Sequence, residues 1–158
     1  MQTGLKIVTD FEPADKYRVN RVEQKLKLIN NLVDWGKVLL FTRELLPVNS
    51  PVANSPGKDL LLKVKILFLQ SLYTLSDSET EDLVNDRFSF QKFTGLDSSR
   101  IILNFNIVRQ FREQLVMCKN FEKLIHFISG LLGEKGVMVR KGTITDAAVI
   151  DLNVIGNV

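Results

Sequence analysis

A mainly helical module followed by a C-terminal β-hairpin is the fold class that this sequence predicts, and three observations predict it. Apolar residues recur at helical spacing from Tyr17 to Leu132. Helix-start and helix-stop residues punctuate that run: Asp34, Ser76 and Asn104 or Asn106 at starts, Gly95 and Gly133 at stops. Only from Val137 onward does the period fall to two. The chain divides accordingly into a flexible N-terminus at 1–16, a helical module at 17–135, and a pair of first strands at 136–158. Helices first and strands last suggest a second domain that is beginning where the sequence stops.

Each element has a local reason. Val22, Leu26, Ile29 and Val33 share one face of the first helix, with Lys25 and Lys27 off that stripe. Asp34 can cap a second helix carrying Trp35, Val38, Phe41 and Leu45. Pro47 to Gly57 holds three prolines among Asn, Ser and Gly, which is the composition of an exposed connector. From about Lys58 to Tyr73 apolar residues nearly encircle the helix, including Leu61, Val64, Phe68 and Leu72, so this one should be central and most buried. Ser76 and Glu79 form a capping box for a helix ending near Asp86. A short piece from Phe88 to Phe93 stops at Gly95, a left-handed cap. A helix from Asn104 or Asn106 to Leu115 turns Val108, Phe111 and Leu115 inward, and another runs from Phe121 to Leu132. Val137 to Arg140, a turn at Lys141-Gly142, and Thr143 to Asp151 read as the hairpin.

Composition excludes several classes. With 158 residues, 45% hydrophobic and 25% charged, the chain is a globular protein with room for one core and the start of another. A single cysteine, Cys118, rules out an internal disulfide and a thiolate zinc site. The single histidine, His126, cannot build a metal centre alone and reads as a helix-surface or half-buried residue. The apolar stretch from Ile66 to Leu75 is interrupted by Gln70 and too short to span a bilayer. Met1 to Asp10 lacks the apolar core of a signal peptide, so a cytoplasmic protein without a membrane partner is expected. The net charge of +3, with a pI near 9.0, leans weakly toward a polyanionic partner, but on this number alone simple solubility charge is the better reading.

Four stretches carry a family resemblance: LVDW at 32–35, LLLKVKILFLQSLYTLSDSETEDLVNDRFSFQKFTGL at 60–96, the Phe111-Arg112-Glu113 piece within RQFREQL, and GVMVRKGTITDAAVID at 136–151. On these, from about Val22 to Asp151, the chain resembles the N-terminal region of InsH-like bacterial insertion-sequence transposases of the DDE type. The resemblance implies a helical module that binds the DNA ends of the element, followed by an RNase H-like domain. In that domain two aspartates and a glutamate hold Mg²⁺ ions. Asp146, in Thr145-Asp146-Ala147, stands where the family has its first catalytic and metal-binding aspartate. Read alone, Asp146 is an exposed strand residue; as a carboxylate within a short apolar strand it is costly to bury unless it meets a cation. Two-metal strand transfer requires such carboxylates. Asp151 is a weaker candidate, since its odd spacing from Asp146 puts it on the other face of a strand.

The sequence departs from the family twice. Where the family reads Pro-Asp-x-x-Thr, this chain has Leu103-Asn104-Phe105-Asn106-Ile107, and the second aspartate and the glutamate have no counterpart. The expectation is a truncated transposase that engages element ends without cutting or joining DNA by itself. It would pair with DNA and could self-associate or join a full-length transposase, its unpaired strand edges favouring association. The alternatives are a non-catalytic DNA-binding regulator of transposition and a plain helical interaction domain.

The helices at 76–86, 88–93 and 104–115 have helix-turn-helix-like lengths. On the last, Arg109, Gln110, Arg112 and Gln114 lie off the Val108-Phe111-Leu115 stripe. Arginine and glutamine suit guanine and adenine edges in a major groove, and arginine also suits phosphates. Arg87, Lys92 and Arg100 would add phosphate contacts. An ordinary solvated helix face is the competing reading, and Lys16, Arg18, Arg21 and Lys25 make the alternative basic face.

Overall fold

A computed structural model describes residues 22–96, 104–139 and 150–151. The expected N-terminal segment 1–16, the first turns of the helical pattern at 17–21, Arg100 and Asp146 lie outside the described residues. The described part is mainly helical. In chain order it contains α1 (22–32), α2 (Trp35–Leu45), α3 (Gly57–Leu72), α4 (Asp77–Asp86), α5 (Phe88–Thr94), α6 (Phe105–Met117), α7 (Phe121–Glu134), β1 (Met138–Val139) and β2 (Ile150–Asp151).

Helix α3 is the hub, as its nearly continuous apolar surface requires. It packs against α2, α4, α5 and α6, while α7 closes the far side on α2 and α6. Leu60, Val64, Ile66, Leu67, Phe68, Leu69 and Leu72 are all buried, and so is Gln70. Leu26 and Ile29 of α1, with Val33 just after it, enter the same core. Of the two lysines off that apolar stripe, Lys27 is exposed and Lys25 is half-buried against the fold. Rings join helices distant in sequence: Phe41 of α2 stacks on Phe127 of α7 with centroids 4.1 Å apart. Trp35 meets Phe93 edge-on at 6.0 Å, and the half-buried Lys65 ammonium lies 4.6 Å from the Trp35 centroid. Burial lowers the pKa of that ammonium, and the negative ring face compensates part of the lost hydration.

The caps fall where sequence places them. The Asp34 side chain accepts from the Lys37 amide at 3.2 Å. Ser76 and Glu79 complete a reciprocal capping box, and Gly95 sits at φ 79°, where a left-handed residue ends a helix at no Cβ cost. Asn104, rather than Asn106, caps α6, its side-chain oxygen accepting from the Asn106 amide at 2.9 Å.

Three features differ from expectation. Helix α7 continues through Gly133 to Glu134 and stops at Gly136, which has φ 77°. The 47–57 connector is not wholly exposed: Val48 is open to solvent, but Ser50 is buried. Its hydroxyl donates to the Gln114 side chain at 3.0 Å and accepts from the Val52 amide. The strands pair antiparallel, with Met138 opposite Asp151 and Val139 opposite Ile150. A tight turn at Lys141-Gly142 would set Val139 opposite Ile144 instead, so the register is not that of a two-residue hairpin at those positions. Lys141 and Gly142 themselves lie outside the described residues.

Candidate nucleic-acid interface

Helix α6 is amphipathic for a simple reason. Phe105, Val108, Phe111 and Leu115 recur at three- and four-residue intervals and are buried against α3, α4 and α7. Directly opposite, Asn106, Arg109, Gln110, Glu113 and Met117 are exposed. Two of the four residues expected to read DNA, Arg109 and Gln110, therefore stand on the open face. The other two lie on its flanks and have partners inside the protein.

Arg112 points toward the start of α4. Its Nη1 donates to Asp77 Oδ1 and its Nη2 to Asp77 Oδ2 at 3.0 Å, a two-pronged match between a planar guanidinium and a carboxylate. Gln70, buried in α3, completes the group: its Nε2 donates to Asp77 Oδ1 at 2.8 Å, and its Oε1 accepts from Arg112 Nη1 at 3.3 Å. Hydrogen bonding from Arg112, with help from Gln70 and from the charges of Arg112 and Arg109, holds the Asp77 carboxyl below its ordinary 3.8 despite some desolvation. The Arg112 pKa is raised in return, chiefly by the same bond. On the opposite flank, Gln114 is taken up by Ser50. These five side chains tie α3, α4, α6 and the 47–56 connector together.

Lys92 and Arg87, expected as phosphate contacts, each have a neighbour within the fold. Lys92 forms an ion pair with Glu23 of α1 at 2.8 Å and remains about half exposed, its ammonium also lying 4.6 Å from the centroid of exposed Phe88. Arg87 is half-buried at the junction of α4 and α5, near enough to Tyr73 to act on its phenol; burial nonetheless pushes that phenol up to about 12. Helix α5 packs on α3 and α4, whereas α6 packs on α3, α4 and α7. The structure thus joins Arg112 to Gln70 and Asp77, and it draws Lys92 toward α1.

Sequence reasoning missed Gln70 and Asp77. The available signals were a lone amide in the apolar run of α3 and an aspartate just inside the capping box. Beside them an open cleft of about 360 Å³ runs between α3, the start of α4, Arg112 and Phe121. His126 is exposed, with Nδ1 2.7 Å from the Glu122 carbonyl, and Cys118 is exposed and unpaired. Among the described residues no three or more His, Cys, Asp or Glu side chains could together hold a metal ion, and no helix is long and apolar enough to cross a membrane.

No solved structure matches the chain. The family described as Transposase domain (DUF772) matches residues 14–114, a span that runs from before α1 into α6 and contains Gln70, Asp77 and Arg112. As that match covers more than half of the 158 residues, the protein belongs to this transposase domain family.

Proposed function

We propose that the helical module is the DNA-end-binding part of a DDE-type transposase, with the open face of α6 as its reading surface. The observation that carries this reading is the exposure of Arg109 and Gln110 side by side, opposite a fully buried stripe on a capped helix. Arginine donates a fork to guanine or phosphate, and glutamine both donates to and accepts from adenine. Lys92 and Arg87 would add charge from the α5 side, and Arg100, before α6 in sequence, is a further candidate phosphate contact. The helix-turn-helix-like reading assigns α4 and α5 to support and α6 to the groove.

By resemblance, Asp146 would be the first carboxylate of the Mg²⁺ site of an RNase H-like domain that opens with β1. The described residues do not supply such a site, and no catalytic step is assigned to them.

The test is titration of the purified chain against duplex from the ends of the element that carries its gene, with scrambled duplex as control, across a salt series. Binding should favour the element ends and weaken as salt rises, because phosphate contacts release counterions. Arg109→Ala and Gln110→Ala should each lose about 1–3 kcal/mol of binding if they read bases. Wild-type binding unaffected by either change would move the surface elsewhere, and absence of binding at low salt would leave a helical interaction domain.

A further inference from the structure

Arg112 lies one turn from Arg109 on α6, yet its part-buried guanidinium is turned toward the start of α4. Both of its terminal nitrogens are engaged by Asp77, and Gln70 bonds to each member of that pair. Asp77 is the first residue of α4, immediately after the Ser76 cap, so its backbone is fixed by the capping box. Gln70 is fixed by burial in α3. A carboxylate at a capped helix start and an amide on a buried helix thus hold a side chain in the middle of α6. The arrangement lets the helix rotate or slide little without breaking a two-pronged bond.

We propose that Gln70, Asp77 and Arg112 form a positioning device that sets the rotation of α6 and so aims Arg109 and Gln110. Arg112 is then not itself a DNA contact. This rests on the DNA-binding reading above, and it assigns to an acidic residue a positive role in binding a polyanion. Electrostatics alone predicts the reverse, since removing a carboxylate beside a basic face should strengthen association with DNA.

That opposition makes the proposal testable with the full chain and element-end duplex over a salt series. Asp77→Asn should weaken binding about five- to tenfold although it adds a net positive charge, with the salt slope unchanged because no phosphate contact is lost. Arg112→Lys keeps the charge but loses the fork, and it should lose about as much affinity, again at constant slope. The exchange Asp77→Arg with Arg112→Asp should recover binding to within about threefold of wild type, which a plain phosphate contact would not do. Helical circular dichroism and melting midpoints identify any variant that is unfolded at the assay temperature. For such a variant Gln70→Glu replaces it as the probe. Its second carboxylate competes for the guanidinium, so binding should weaken at constant slope, whereas unchanged affinity would overturn the proposal. Equal or tighter binding by Asp77→Asn would overturn it too. So would near-wild-type binding by Arg112→Lys together with a lower slope on Arg112→Gln, which would make Arg112 a phosphate contact. If the wild-type chain fails to bind, the DNA-binding reading falls and this one with it; if the wild type binds and Asp77→Asn is unaffected, only this one falls.

Discussion

Arg112 grips both carboxylate oxygens of Asp77 across 35 positions of sequence, joining the middle of α6 to the first residue of α4. Asp77 also sits at the positive end of the α4 dipole, so two independent effects favour its charged form. A carboxyl depressed in the folded state stabilises the fold above its unfolded value, and that stabilisation is lost as pH falls through the folded value. With an ordinary value of 3.8, the contribution should be complete near neutrality and be lost progressively as pH falls below about 4. Denaturant unfolding of wild type and Asp77→Asn across that range should give curves that converge in acid. Parallel curves would show that the pair contributes nothing pH-dependent.

The capping box is separable from that pair. Ser76→Ala removes the hydroxyl that accepts from the Glu79 amide at 3.2 Å, and it should cost about 1 kcal/mol in denaturant unfolding. Ser76→Thr keeps the acceptor and should recover most of the loss.

The two faces of α6 should respond in opposite ways to truncation. Phe111 has no exposed surface, and Phe111→Ala should cost about 3–5 kcal/mol through lost burial and a cavity beside α3. Met117 is 83% exposed, and Met117→Ala should change stability by no more than about 0.5 kcal/mol. A large loss at Met117 in solution would mean that this surface is covered there.

Tyr73 supplies an alkaline signature. It stacks on Phe90 with centroids 5.6 Å apart, and burial raises its phenol from 10.0 to about 12. Below pH 10 the phenol is neutral whether the chain is folded or not, so its contribution is fully present. Between about 10 and about 12 the unfolded chain ionises first and stability falls. In Tyr17→Phe, where Tyr73 is the only tyrosine left, ultraviolet absorbance should titrate near 12 while the helical signal persists. A midpoint at 10.0 in the folded chain would contradict the burial of the ring.

Much of the helical framework was legible because its signals are local. The Val108-Phe111-Leu115 stripe, the Ser76–Glu79 box and the turn at Gly95 each depend on residues within a few positions of one another, where spacing and backbone geometry suffice. The stops of α3 and α6 were harder. Thr74 and Lys119 carry positive φ values of 52° and 58°, a conformation that neither residue type advertises.

The candidate interface shows where local reasoning stops. Helical periodicity alone places Arg109, Gln110, Arg112 and Gln114 off the buried stripe of α6. Which of them face solvent is set by the packing of neighbouring helices. Arg112 meets Asp77 from α4, and Gln114 meets Ser50 from the connector, 64 positions away. A helical wheel describes the angle of a side chain about its own axis and contains no information about neighbouring helices. Long-range packing placed polar partners on both flanks of α6 and left Arg109 and Gln110 open between them.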